Sequence, residues 1–138
     1  MTELDLYPVL PKDILVIKDE VVPLINFFHE QNDGLQTNTS QVFESLLSGK
    51  RILWIGKEND KIEMVIVTEF IGKAFFILIW VTKSGWDFSK WYPWGIKKLE
   101  KFARYFQCDQ LQAITRKGLA RKFRQDWDHE FCLLTKKL

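Results

Sequence analysis

The chain has 138 residues, 46% hydrophobic and 14% aromatic, with six Trp and eleven Phe, which supports one packed domain over residues 1–138 and excludes a disordered tail. No apolar run approaches the ~18 residues of a bilayer span; the longest, Ala74 to Val81, has the length of a strand. Net charge is only +2, but residues 1–69 hold six Lys/Arg against twelve Asp/Glu, while residues 70–138 hold fourteen against six, a division that reads either as a partner surface or as two halves that neutralise each other.

In chain order, MTELDLYPVL lacks the basic start and apolar core of a signal peptide, so a protein that is not secreted by one is expected. YPVLPKD is expected to be extended, because Pro8 and Pro11 each disfavour helix in the preceding residue. Ile14 to Lys18 then reads as a short strand. Asp19 reads as the N-cap of a helix whose stripe is Val21, Leu24, Ile25 and Phe28, with Pro23 in its first turn. Asn32-Asp33-Gly34 ends it, and Thr39 or Ser40 caps a second helix, closed by Gly49, with Val42, Phe43, Leu46 and Leu47 inward. Arg51–Lys57, Lys61–Gly72 and Ala74–Thr82 form an antiparallel meander, the third strand apolar enough to be covered on both faces. After the loop KSGWDFSKW comes a long helix with Ile96, Leu99, Phe102, Ala103 and Phe106 on one face and Lys97, Lys98, Glu100, Lys101 and Arg104 on the other. Leu111–Thr115 is a strand, Gly118–Asp126 a short helix, and Glu130–Leu138 a final strand. The order is β-α-α-β-β-β-α-β-α-β.

Cys108 and Cys132 sit among apolar residues without C-x-x-C spacing and read as buried free thiols. His29 and His129 have no ligand-spaced partners, so no metal site is expected.

The element order resembles that of the GNAT acetyltransferases over nearly the whole chain, which implies a mixed, mostly antiparallel sheet with helices on both faces. Shorter pieces are similar to the small GNAT-like proteins of tailed bacteriophages. These pieces are GKRILWIG leading into VIVTEF, then LEKFARYFQCDQL, then ITRKGLARKF. The matching positions are Gly49, Leu53, Trp54, Thr68, Glu69, Ala103, Arg104, Cys108, Leu111, Arg116, Gly118 and Arg121. Leu119 stands where that pattern has an aromatic, and Gln107 where it has a glycine. The resemblance implies acetyl-CoA bound by its pyrophosphate on a loop Q/R-x-x-G-x-G/A at a helix N-terminus. The corresponding loop here offers Ser84, Gly85 and Trp86, and the large Trp86 replaces a residue chosen for having no side chain. The helix after the fifth strand carries Phe123 and no Tyr to act as general acid. The region of two strands that usually follows is compressed into Trp127–Leu138.

These departures make a bound cofactor unexpected, with acetyl-CoA as the cofactor if the chain is an enzyme. Glu69 is the candidate general base for deprotonating an amine, set against a solvated or salt-bridged carboxylate. Ser84 and Gly85 offer two N–H groups to an anion, or make an ordinary turn. Lys83 and Lys90 neutralise a phosphate, or simply face water. Trp86, Trp91 and Trp94 form either an exposed protein-binding patch or part of the packing against the sheet. Arg116, Lys117, Arg121, Lys122 and Arg124 make a basic surface suited to nucleic acid or to protein. The leading expectation is a non-catalytic phage protein of virion structure or assembly. It would act in the host cytoplasm or the virion, and its partners would be other phage structural proteins or a second copy of itself. The alternatives are an acetyl-CoA-dependent N-acetyltransferase and a nucleic-acid-associated accessory protein.

Overall fold

The computed structural model describes residues 4–31, 38–83, 88–114, 128–130 and 133–138. Its elements are β1 (Leu4–Val9), α1 (Pro11–Gln31), α2 (Thr39–Leu47), β2 (Ile52–Glu58), β3 (Lys61–Ile71), β4 (Ala74–Thr82), α3 (Phe88–Tyr105), β5 (Gln110–Ile114), β6 (Asp128–Glu130) and β7 (Leu133–Lys137). The strands lie in the order β1-β2-β3-β4-β5-β7-β6. The β1–β2, β2–β3, β5–β7 and β6–β7 ladders are antiparallel and β4–β5 is parallel. This is the mixed, mostly antiparallel α/β sheet expected from the element order. The chain forms two compact units, Met1–Thr68 with Ile79–Phe88, and Glu69–Leu78 with Ser89–Leu138, so β3 and β4 each pass from one unit into the other.

In the first unit β1 runs along β2 from Leu4↔Glu58 to Val9↔Leu53. The expected strand at Ile14–Lys18 is instead helix, and α1 starts at Pro11 rather than after Asp19. Proline suits the first helical position because the N–H it lacks would have no partner there, and the Asp13 N–H already donates to the Leu10 carbonyl at 2.9 Å. The run Ile14-Leu15-Val16 does not alternate as a half-buried strand would. Ile14 is buried, and both Leu15 and Val16 are exposed, at 63% and 81%. Ile14 joins Val21, Leu24, Ile25 and Phe28 on one helical face. Pro23 therefore lies inside the helix, where its ring removes the bond that the Asp19 carbonyl would accept.

The N-cap of α2 is Asn38, not Thr39 or Ser40. Its side chain accepts from the Gln41 N–H at 2.9 Å while the Gln41 side chain accepts from the Asn38 N–H at 3.2 Å, a capping box. The Thr39 hydroxyl is left to donate to Asn26 Oδ1 on α1. Val42, Phe43 and Leu46 are buried as expected, and Leu47 is exposed. Gly49 closes the helix at φ +82°, a conformation that glycine adopts without steric cost. The β2–β3 hairpin turns through Asn59 and Asp60, both at positive φ, which two-residue hairpins require and these two residue types tolerate.

In the second unit the first half of β4 pairs with β5 from Ala74↔Gln110 to Ile77↔Ala113, and β7 pairs with β5 on its other side. Ile96, Leu99 and Ala103 of α3 are buried. Glu100, expected on the solvent face, is buried as well, with Arg104 Nη2 at 3.7 Å from its Oε2. Phe106, expected inward, lies beyond the helix and is half exposed. The single final strand expected over Glu130–Leu138 is two short antiparallel strands, β6 and β7, which meet at Glu130↔Leu133. The expected helix at Gly118–Asp126 lies outside the described residues.

Candidate active site

The strand-to-helix connection singled out in the sequence runs from β4 into α3. The β4–β5 ladder ends at Ile77↔Ala113, and β4 continues through Leu78 to Thr82. The Lys83 N–H donates to the Glu63 carbonyl at 2.8 Å, which carries the pairing of the strand one residue further. Five residues separate Thr82 from Phe88, where the 18-residue α3 begins with no carboxylate in its first turn. Asp87 directly precedes the helix in the sequence.

Ser84, Gly85, Trp86, Arg116, Lys117, Arg121, Lys122 and Arg124 lie outside the described residues, as do the side chains of Lys90 and Trp91. Trp94 is half-buried on α3, and Lys98 one turn later places its ammonium 4.7 Å from the centre of the Trp94 ring, a cation–π contact. Among the described residues the exposed aromatic surface of the second unit is at Phe70, Tyr105 and Phe106 rather than at Trp94. Glu69 is half-buried near the end of β3.

Several positions that carried the resemblance turn out to be packing residues. Trp54 Nε1 donates to Thr68 Oγ1 at 3.0 Å with both residues buried. Ala103 accepts from the Cys108 N–H at 2.9 Å. Cys108 is a buried free thiol, as expected; burial pushes its pKa up, with the Asp109 carboxylate adding to the shift, so it is a poor nucleophile. Cys132 lies outside the described residues. Among the described residues no group of His, Cys, Asp and Glu is arranged to hold a metal, and no helix is long and apolar enough to cross a membrane.

A feature not seen in the sequence is a cavity of about 370 Å³ within the first unit, lined by Glu20, Pro23, Leu24 and Phe27 of α1 and by Thr82 and Lys83 at the end of β4.

No protein-family model matches the chain, and no curated protein matches it. Solved structures do. A PaiA N-acetyltransferase from Thermoplasma acidophilum in complex with coenzyme A superposes with a TM-score of 0.69 at 10% identity, over 99% of each chain. An acetyltransferase of the GNAT family from Staphylococcus aureus Mu50 gives 0.74 at 10% identity, again over 99% of each. The fold is the GNAT fold. N-acetylglutamate synthase from Neisseria gonorrhoeae, complexed with coenzyme A and N-acetyl-glutamate, also gives 0.74, at 12% identity over 99% of this chain and 35% of that one.

These likenesses correct the leading expectation from the sequence. Two of these three solved structures, matched over 99% of both chains, are acetyltransferases, and two of the three hold coenzyme A. A non-catalytic protein of virion structure or assembly draws no support from them, nor does a phage origin. The short motifs behind that expectation include Trp54, Thr68, Ala103 and Cys108, whose contacts serve the packing of the fold.

Proposed function

We propose that the chain is an acetyl-CoA-dependent N-acetyltransferase. The observation that carries this reading is the GNAT fold itself, with β4 running on past its parallel ladder into a short connection and then into α3. The coenzyme A complexes among the structural neighbours support the same cofactor.

Acetyl-CoA supplies a thioester carbonyl that a neutral amine can attack, forming the amide bond as the C–S bond breaks. The N–H groups of Ser84 and Gly85, followed by the first turn of α3, are assigned to the pyrophosphate, where backbone donors and the helix dipole act together. Glu69 is assigned the general-base role, taking the proton that an ammonium must lose before attack. A carboxylate in this role needs only partial exposure to exchange protons with water, which its half-buried position allows. In the sequence, Trp86 stands where the GNAT loop pattern has a small residue.

The test is calorimetric titration of acetyl-CoA into the wild-type chain and the Trp86→Gly variant, followed by an acceptor-amine screen. Micromolar binding by wild type is expected, with tighter binding by Trp86→Gly. Absence of binding by both proteins would sink the enzyme reading and leave only a shared fold.

A further inference from the structure

We infer that the outward face of the first turns of α1 is a self-association surface. A second copy of this chain docks its own α1 there, antiparallel, about a two-fold axis between Leu15 and Val16. The surface belongs to the first unit alone, and the inference is independent of the acetyltransferase reading.

At about 100° per residue, Ile14, Val21, Ile25 and Phe28 lie along one side of α1, and all four are buried. The opposite side carries Lys12, Leu15, Val16 and Asp19, all exposed. Lys12 and Asp19 run down the middle of that face, with Leu15 and Val16 on either side of the line between them. Leu15 and Val16 are 63% and 81% exposed, so a partner that covers them removes apolar surface from water.

The charges say which partner. On a helix, side chains three and four positions apart are neighbours. Those neighbours of Lys12 are Leu15 and Val16, and those of Asp19 are Leu15, Val16, Val22 and Pro23. Neither charge therefore has an opposite one beside it on α1; Asp13, next to Lys12 in sequence, is turned about 100° away. Two further charges of this helix are engaged within the chain. The Lys18 ammonium lies 5.5 Å from the centre of the Phe43 ring, and Glu20 interacts with the Lys57 ammonium. Among the described residues no ion pair holds Lys12 or Asp19.

A second copy satisfies both charges at once. With the helices antiparallel and the axis between Leu15 and Val16, Leu15 of each copy meets Val16 of the other. Lys12 and Asp19 each lie about 5 Å from the axis along the helix, so Lys12 of each copy meets Asp19 of the other. Two-fold symmetry makes every such pair twice. A parallel pairing in register would set Lys12 on Lys12 and Asp19 on Asp19, and that repulsion selects the antiparallel arrangement. A polyanion would answer Lys12 and be repelled by Asp19. The patch spans about two turns and falls short of the ~1,200 Å² of a standard interface. The dimer is accordingly weak, with a dissociation constant between about 1 µM and 1 mM.

The experiment is sedimentation equilibrium of the whole chain at low salt, at concentrations from about 1 µM to 1 mM. A rise from monomer to dimer mass is expected within that range, and added salt is expected to weaken it by screening. Lys12→Asp and Asp19→Lys should each weaken self-association at least about tenfold, because each exchanges two attractions for two repulsions. Combining Lys12→Asp with Asp19→Lys in one chain should restore it. An equimolar mixture of the two single variants should dimerise better than either alone, since unlike charges again face each other across the axis. Leu15→Ser should weaken the dimer by removing apolar cover. All these positions are exposed, so the variants fold, and rescue in the mixture demonstrates it. A chain that stays monomeric throughout, a dimer indifferent to the single exchanges, or single variants rescued neither by mixing nor by combination overturns the inference.

Discussion

Trp54 and Thr68 meet across β2 and β3, indole N–H to hydroxyl, 3.0 Å apart and sealed from water in the first unit. Ile52 is the backbone partner of Thr68, and Trp54 is that of Ile66, so the bond runs diagonally across the ladder and fixes the strand register through side chains as well as backbone. Thr68→Val keeps the shape and removes the acceptor, leaving a buried N–H unmatched. The expected loss is about 1–3 kcal/mol, read as a shift of the urea midpoint at constant slope. Thr68→Ser, which keeps the hydroxyl, is expected to lose less. A neutral Thr68→Val would mean that the bond adds no net stability.

Gln107 adopts φ +62° at the end of α3, with its N–H on the Arg104 carbonyl at 3.0 Å and the Cys108 N–H on the Ala103 carbonyl at 2.9 Å. This pair of bonds is a Schellman closure, whose left-handed residue is most often glycine. The left-handed conformation costs a non-glycine residue about 1 kcal/mol. Gln107→Gly is therefore expected to raise the melting temperature by a few degrees, and Gln107→Val to lower it. A drop with glycine would indicate that the Gln side chain itself stabilises the turn.

Gly56 faces Met64 so closely that an added Cβ would lie 3.0 Å from the Met64 Cβ and 2.7 Å from its Cε. The Cε can swing away, but the Cβ is fixed to the backbone, and the Met64 sulfur already accepts from Trp80 Nε1 at 2.9 Å. Gly56→Ala should cost about 1–3 kcal/mol as overpacking, measurable by thermal unfolding. Wild-type stability in that variant would show that β2 shifts freely at the register irregularity between Gly56 and Lys57.

His29 has its pKa held below the ordinary 6.5 by burial, and its Nδ1 lies 3.3 Å from Thr39 Oγ1. With the Thr39 proton given to Asn26, the ring meets this hydroxyl as an Nδ1–H donor. The folded chain takes up a proton at His29 less readily than the unfolded chain. Its contribution to stability is therefore present above pH 6.5 and lost as pH falls below that value. Melting temperatures of wild type and His29→Gln between pH 7.5 and pH 5.5 should converge toward the acid end. Parallel curves would assign the acid sensitivity to other groups.

Glu69→Gln isolates the assigned base. The expected result is a fall in kcat of about 10²-fold or more with acetyl-CoA affinity unchanged. An unaltered rate would remove Glu69 from the mechanism.

The sheet was legible where the sequence carries its own punctuation. The boundaries of β2, β3 and β4 fall within a residue of expectation, because Asn59-Asp60 and Gly72 mark turns between alternating or fully apolar runs. Residues 11–18 were misread because Pro11 signals extended chain before it and helix after it, and only the burial of Ile14 beside exposed Leu15 and Val16 decides between them. The break between β6 and β7 went unseen because Asp128–Leu133 contains no Gly, Pro or Asn. At the cap of α2, Thr39 and Ser40 are as competent as Asn38 by residue type, and the reciprocal bond from Gln41 makes the choice. At the candidate site, Trp94 and Glu69 could be singled out by residue type, but the cavity could not. Its walls come from α1 and from the end of β4, and no local pattern in either segment announces the other.

The handover of β3 and β4 between the two units also sets the order in which the nascent protein can be completed. The ribosome makes residues Met1–Thr68, then ten residues that belong to the second unit, and only then Ile79–Phe88, which the first unit requires. The Lys83 N–H that bonds to Glu63 and the Trp80 indole that bonds to Met64 arrive with that late segment. A stalled or truncated product ending at Thr68 thus lacks the strand edge that satisfies its own β3, and would emerge as a target for chaperones and proteases rather than as a half-sized folded domain.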